Sequence, residues 1–473
     1  GEKKGLLYGL QVVYFVHRQN DTVLVAQDGQ DEVNWIKRAE AVTPDGQICP
    51  VGMWRLKKVK VEGAGDQVPR TGGVCVIEHI VSGKYLATNE EGYTVLSPML
   101  YDEGCRWSFL AHSEAQHTGL GVGEVVWLLQ EPPEGEDQAK RRIWLSDSSM
   151  QNAQGTTFCG QGVLQDGKEP DNTDVVELRT APPKLTASVE VVRRSQETLG
   201  AILEHLKANA VPVDPDLPDD ERVKAVKYTP LGPMLRRILP VFEPIMARLI
   251  NGCTFSNEQD PILRTGPPHA AHQDLLRQIG AINTSIAIAS HLLNDLNLPL
   301  PVVKKQLPLA WRLGRLCYKL VEMASFNHPT NKLHLSAEVS GFMKHARAEV
   351  GAYFAMVEVY KDTKSLLNDL SKEHFAMYLR FLKTTRSSRI LEFLTITVRC
   401  NGEPLRRNQN MVAGMIFDEM RSMIYQVEIT EDDILLRDVS GLAMEADTFN
   451  NFAKGTEPEA ATPPPPFYAG GIR

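Results

Sequence analysis

The residues in this chain whose types and spacing could do chemistry are its basic groups: Lys37-Arg38, Arg193-Arg194, Arg236-Arg237, Arg277, Lys304-Lys305 and Arg312. A polyanionic ligand needs several such side chains converging from different segments, because a guanidinium or ammonium binds phosphate through charge-assisted hydrogen bonds that one isolated doublet cannot supply in number. Taken singly, each doublet reads as a solvated helix or strand surface. The stretch Lys383-Thr384-Thr385-Arg386-Ser387-Ser388-Arg389 combines hydroxyls with flanking cations. It reads either as a kinase substrate between helices or as a plain loop.

Bond-breaking machinery is not expected. Gly119-Leu120-Gly121-Val122-Gly123 has part of a phosphate-cradling pattern, but it runs into a strand and not a helix, so the amides of a helix N-terminus are missing. His79, His112, His117 and His345 have no cysteine or carboxylate at metal-ligand spacing. Neither catalytic residues, metal ligands nor a cofactor are expected. The seven cysteines, Cys49, Cys75, Cys105, Cys159, Cys253, Cys317 and Cys400, are odd in number and scattered, with no C-x-x-C pair, and read as reduced thiols. The sequons at Asn20 and Asn283 are then expected to be unused.

The elements that must position these groups change character once along the chain. Up to about residue 180, short β-branched and aromatic runs alternate with Gly, Asp, Asn and Pro turns. One phrase recurs, as Gly9-Leu10-Gln11-Val12-Val13-Tyr14-Phe15-Val16-His17, Gly73-Val74-Cys75-Val76-Ile77-Glu78-His79 and Gly123-Glu124-Val125-Val126-Trp127-Leu128-Leu129. Each copy is followed by a second apolar strand (Val23-Leu24-Val25, Tyr85-Leu86-Ala87, Ile143-Trp144-Leu145). Trp54-Arg55-Leu56 and Trp107-Ser108-Phe109 close the first two repeats, and Val175-Val176-Glu177-Leu178 closes the third without a tryptophan. One such repeat cannot bury its apolar face alone, so three must close together, which predicts a β-trefoil over residues 1–182.

From Pro183 the apolar period becomes helical, with Val189, Val192, Leu199, Ile202, Leu203 and Leu206 on one face. Short helices then follow in close succession, predicting an armadillo-like helical domain over residues 183–455. Asn401-Gly402 is expected to stop one of them after Val398, and Ser371 is an N-cap candidate. Residues 456–473, with Pro463 to Pro466, read as a Pro/Gly-rich linker. The fold class is therefore multidomain, all-β plus all-α.

With 473 residues, 42% hydrophobic and 23% charged, the chain is long enough for two to four domains of roughly 100 to 200 residues each. A net charge of −8 argues against nucleic acid as the main partner. No run reaches the roughly 20 apolar residues of a membrane-spanning helix, and Gly1-Glu2-Lys3-Lys4-Gly5 has no signal-peptide core, so this segment is not expected to insert into a membrane.

Several phrases then carry a resemblance. Trp311-Arg312-Leu313-Gly314-Arg315-Leu316-Cys317-Tyr318-Lys319-Leu320, Gly341-Phe342-Met343-Lys344, Arg389-Ile390-Leu391-Glu392-Phe393-Leu394 and Cys400-Asn401-Gly402-Glu403-Pro404-Leu405-Arg406-Arg407-Asn408-Gln409 resemble, in this order, the helical (RIH) domain of inositol trisphosphate receptors and ryanodine receptors. The β half resembles the family's MIR trefoil at Met53-Trp54-Arg55-Leu56, His79-Ile80-Val81-Ser82-Gly83-Lys84-Tyr85-Leu86-Ala87 and Trp107-Ser108-Phe109.

What the resemblance implies is the cytosolic N-terminal region of a homotetrameric calcium-release channel of the endoplasmic reticulum, partnered by its other subunits, with membrane-spanning segments beyond Arg473. In that family inositol trisphosphate is clasped by basic residues from trefoil and helices. Here the phosphate loop falls on Lys37-Arg38-Ala39-Glu40-Ala41, and further basic positions fall on Tyr14, Thr22, Ala270, Asp274 and Pro329-Thr330. Lys37, Arg38, Arg277 and Lys332 are the remaining candidate anion contacts, and the pocket reads as degenerate. Two alternatives stay open: a trefoil carbohydrate-binding module, and a cytosolic scaffold unrelated to a channel.

Overall fold

A computed structural model describes residues 11–18, 20–26, 31–42, 48–58, 74–89, 94–99, 103–111, 125–130, 143–151, 157–163, 175–385, 388–419, 424–429, 434–438 and 443–444. Gly119 to Gly123, His112, His117 and the linker 456–473 lie outside them. The chain divides into two compact units, residues 1–198 with 275–281, and residues 199–274 with 282–473.

The first unit has twelve strands in its sheet: β1 (Val12–His17), β2 (Thr22–Ala26), β3 (Val33–Lys37), β4 (Trp54–Lys58), β5 (Cys75–His79), β6 (Tyr85–Thr88), β7 (Thr94–Ser97), β8 (Trp107–Ala111), β9 (Val125–Gln130), β10 (Ile143–Gln151), β11 (Thr157–Val163) and β12 (Val176–Thr180). The first and fourth strands of each repeat pair around a closed antiparallel ring, β1 with β4, β4 with β5, β5 with β8, β8 with β9, β9 with β12 and β12 with β1. The second and third strands pair as the hairpins β2–β3, β6–β7 and β10–β11. This is the β-trefoil. Its third strands β3, β7 and β11 complete the repeats, beyond the strands recognised from the recurring phrases.

The ring closes over one core, to which all three repeats contribute: Val13, Phe15 and Trp54, then Ile77, Trp107 and Phe109, then Val126, Leu128 and Leu178. Trp54 and Trp107 are fully buried and occupy the same place in successive repeats. Trp54 Nε1 donates to Leu24 O (3.0 Å) in its repeat's second strand, and Trp107 Nε1 donates to Leu86 O (2.8 Å) in the equivalent strand of the next. Each indole thus fills the core and ties the ring to a hairpin. Phenylalanine keeps most of the apolar area but loses the donor, so Trp54→Phe and Trp107→Phe should each cost about 1 to 3 kcal/mol. Matched shifts of the urea midpoint are expected; a loss confined to one variant would contradict the equivalence of the repeats.

In the second unit the sequence periodicity becomes a succession of helices. Leu231–Gly252 buries Leu235, Ile238, Phe242, Met246 and Leu249 on one side, despite two internal prolines, Pro240 and Pro244. Pro308–Ser325 buries Leu313, Leu316, Leu320 and Val321, and Arg312 on it meets Glu243 at 2.7 Å. Buried Asn331 bridges elements by donating to Gln273 O (3.0 Å) and Ala324 O (2.8 Å). Tyr360, Tyr378 and Phe393 form an aromatic cluster with ring centroids 4.9 to 5.8 Å apart.

Two local features differ from the sequence expectation. Asn401-Gly402 does not close a helix: the helix Ser388–Thr397 ends earlier, and both residues have positive φ (49° and 82°) in a two-residue turn that pairs Cys400 with Glu403. Asn-Gly supplies the two left-handed residues that such a hairpin turn requires. Beyond the last helical turn, Tyr425–Ile429, Ile434–Asp438 and Ala443–Met444 form an antiparallel sheet, following the two-residue alternation of Tyr-Gln-Val-Glu-Ile. No single helix among the described residues is long and apolar enough to cross a membrane.

Candidate functional site

A cleft of about 320 Å³ opens inside the first unit, lined by trefoil residues Ala26, Asp31, Val51, His79, Val81, Ser82, Lys84 and Leu96, by Arg193, Gln196 and Glu197 of the helix Pro183–Asn209, and by Gln278 and Ile279. The connection from β5 to β6 forms its rim. His79 N donates to Lys84 O and Gly83 N to His79 O, both at 2.8 Å, in a tight turn where Gly83 takes φ +73°. A Cβ at Gly83 would also stand 3.7 Å from the Arg193 guanidinium.

His79 holds the rim in place. Its Nε2–H donates to Val51 O (3.0 Å), its Nδ1 accepts from the Ser82 hydroxyl (2.9 Å), and its ring lies 5.0 Å from that of Trp54. Burial pushes its pKa down to about 4, so the imidazole is neutral near pH 7.

Behind the cleft is a charged hub that no motif announced. Glu78 is 2% exposed. Its carboxylate meets Arg55 at 3.0 Å, Lys57 at 3.1 Å and Arg193 at 3.1 Å. Arg193 continues to Ile80 O (3.2 Å) and Glu197 (3.1 Å), and Arg55 to Glu190. One trefoil carboxylate therefore fastens the first half of the helix Pro183–Asn209 to the β surface. The signal was slight: Glu78 sits beside the inward Ile77, on the face of β5 that alternation turns away from the barrel core. The helix then covers it.

The cleft is balanced in charge. Lys84 pairs with Asp31, and Arg193 with Glu78 and Glu197, which leaves its cations engaged. Gln278 Oε1 is a buried acceptor with no hydrogen-bond partner among the described residues. Such a lining offers a small polar guest one unmet acceptor.

The sequence-derived anion contacts lie elsewhere. Lys37 ends β3 in the pair with Thr22 and Arg38 follows it, whereas Ala26 and Asp31 of the cleft belong to the other end of the β2–β3 hairpin, about 13 Å away along the strand. Lys37 Nζ lies 3.5 Å from Asn20 O, and Arg38 lies 3.6 Å from Asp21. Tyr14 and Thr22 are buried and uncharged, with Tyr14 donating to Ile48 O at 3.0 Å. Arg277, half-buried near the end of the helix Ala270–Gln278, is not among the lining residues.

Lys332 belongs to the second unit, is 4% exposed, meets Glu358 at 3.0 Å and donates to Lys361 O at 2.7 Å. Its charge is thus committed to the interior. Asp274 of the same unit lies 3.4 Å from His328. Of the other doublets, Arg236 and Arg237 are exposed, and Lys304 pairs with Glu349 at 2.8 Å. Arg386 and Ser387 of the hydroxyl-rich stretch lie outside the described residues.

Residues 249–426 match the RIH domain family of ryanodine and inositol trisphosphate receptors (RYDR_ITPR). The inositol 1,4,5-trisphosphate receptor-like protein A of Dictyostelium discoideum is similar to this chain, at 20% identity over 197 residues. That alignment covers 41% of this chain and 6% of the Dictyostelium protein, so the chain corresponds to a small part of its relative.

Proposed function

We propose that this chain, a member of the ryanodine and inositol trisphosphate receptor family through its RIH domain, is a cytosolic regulatory region of a tetrameric calcium-release channel of the endoplasmic reticulum, with a degenerate inositol trisphosphate pocket. The succession of a closed β-trefoil and an RIH domain in one chain carries this reading. No residue is assigned a bond-breaking role. The trefoil and helices work as a sensor, whose ligand drives a change only to the extent that it binds one arrangement better than another.

The degenerate pocket is supported by what the anion candidates already touch. Arg38 and Lys332 have carboxylate partners, Lys37 points to a carbonyl, and Asp274 stands at a position where the family carries a basic residue. Losing one desolvated charge contact costs about 2 to 5 kcal/mol, and about 1.4 kcal/mol is a tenfold change in affinity, so several losses remove ordinary binding. Titrating inositol trisphosphate into the folded chain by calorimetry should give no saturable heat at micromolar concentration, at low or moderate salt. A salt-sensitive micromolar isotherm would overturn the degenerate pocket. The channel reading itself fails if the full-length protein has no pore-forming segment.

A further inference from the structure

We propose that Arg315, Arg389 and Phe354 form a docking site for a phosphorylated serine or threonine side chain of a peptide segment. The three residues come from separate helices of the second unit, Pro308–Ser325, Ser388–Thr397 and Ala352–Tyr360. The Arg315 guanidinium lies 5.5 Å from the Phe354 ring centroid, and that of Arg389 lies 5.6 Å from it. Phe354 is 38% exposed. Its ring therefore gathers two cations at a surface that a partner can reach.

Neither guanidinium has an ion pair or a side-chain hydrogen bond among the described residues, which sets them apart from Arg55, Arg193 and Arg312. The neighbouring carboxylates are already engaged. Glu322 meets Lys319 at 2.8 Å, Glu349 meets Lys304 at 2.8 Å, and Glu392 accepts from the Tyr353 hydroxyl at 2.8 Å. Glu349 is held below the usual carboxylate range first by its hydrogen bond to Lys304 and then by the charges of Lys304, Arg389 and Lys305, so these three cations share one carboxylate. Burial lowers the Arg315 pKa, with Glu322 opposing and repulsion from Arg389 adding, and an incoming anion relieves that cost.

The backbone is shaped to admit Arg315. Gly351 takes φ +89°, and a Cβ there would collide with Arg315 Nη1. A glycine at this turn thus allows the guanidinium to lie against the chain beside Phe354. Two forked donors of charge +1 each match a dianionic phosphate monoester better than a monovalent carboxylate. The exposed ring adds an apolar contact that bare phosphate cannot use, which favours a peptide as the carrier of the phosphate.

The test is fluorescence anisotropy of the full chain with a short labelled peptide carrying one phosphoserine between leucines, beside its serine and aspartate forms. Salt-sensitive binding of the phosphoserine form is expected, weakened at least about tenfold by Arg315→Ala and by Arg389→Ala. Gly351→Ala should weaken binding through displacement of Arg315, and Phe354→Ala through loss of the ring, whereas Arg38→Ala should leave it unchanged. Arg389 is exposed, so its variant keeps the fold and the test interpretable. Equal binding of the serine form, equal binding of the aspartate form, inorganic phosphate as tight as the peptide, no binding at all, or full binding by both arginine variants would each overturn the proposal.

Discussion

Replacing Glu78 by alanine should destabilise the trefoil by about 3 to 5 kcal/mol, among the largest effects of any single substitution in this chain. The side chain of Glu78 is 3% exposed, while its partners Arg55, Lys57 and Arg193 are 13%, 28% and 23% exposed. Removing the carboxylate leaves three neighbouring cations with restricted access to water and no shared counter-charge. Breaking a buried pair from one side costs far more than the pair itself contributes, because the remaining charges stay desolvated. Here the penalty falls on the contact that fastens the helix Pro183–Asn209 to the β surface.

Tryptophan fluorescence reports this directly, since Trp35, Trp54, Trp107, Trp127 and Trp144 belong to the trefoil sequence and only Trp311 to the helical part. In urea, Glu78→Ala should shift the fluorescence transition to clearly lower denaturant, with Glu78→Gln in between because its amide oxygen still accepts hydrogen bonds. Glu197→Ala is the control: that carboxylate is 62% exposed and pairs with the same Arg193, so its loss should stay within about 1 kcal/mol. If Glu78→Ala behaved like the control, the hub would be a chance meeting of charges and not the fastening that its burial implies.

The trefoil was legible because its repeat leaves a chemical trace. Trp54 and Trp107 recur at the same point of the phrase and make the same indole-to-carbonyl bond, so spacing and packing agree. The third repeat closes on Val176 and Leu178, which fill the same core without an indole, and there the phrase was harder to follow. The strands β3, β7 and β11 leave no such trace, because they hold no recurring residue; they are defined by pairing with the strand before them. Asn401-Gly402 is ambiguous in the sequence because glycine closes both helices and hairpins. Two positive φ angles in succession decide for the hairpin.

The hub was not legible for a different reason. Arg193 and Glu78 are 115 residues apart, and neither local alternation nor helical period says which helix will lie across which strand. A charge on the outer face of β5 reads as solvated until that helix covers it. The same limit applies to Lys332, whose partner Glu358 lies on a later helix, so a lysine that looked available to an anion is an interior cation. Arg315 shows the converse: it lies inside a phrase that reads as helix core, yet its guanidinium makes no ion pair among the described residues and reaches an exposed ring.

Acid should destabilise both units well before their carboxylates are protonated, in a window that His79 in the first unit and His345 in the second both report, with His272, lowered to about 4 mainly by burial, adding to the slope of the second. Each is held down to about 4, His79 by burial with Arg193 adding and Glu78 and the Val51 carbonyl opposing, His345 by burial with Lys344 adding. His345 is wholly buried, accepting at Nδ1 from the Tyr318 hydroxyl and donating from Nε2 to Asn294 Oδ1 at 2.8 Å. Both rings are thus bonded in the neutral form. The unfolded chain takes up a proton at the ordinary histidine pKa near 6.5, whereas the folded chain does not until about 4. Stability is therefore complete above about 6.5, falls as the pH drops towards 4 and levels off below, by roughly 3 kcal/mol for each histidine. Urea unfolding at intervals between pH 7 and pH 4.5 should show this slope, in the tryptophan signal for His79 and in the helical circular dichroism for His345. Because the lost stability comes from protonating the unfolded state, His79→Asn and His345→Gln should be less stable than wild type at pH 7 and draw level with it near pH 4.5. Parallel slopes for wild type and variants would show that these imidazoles are protonated as readily in the folded chain as in the unfolded one.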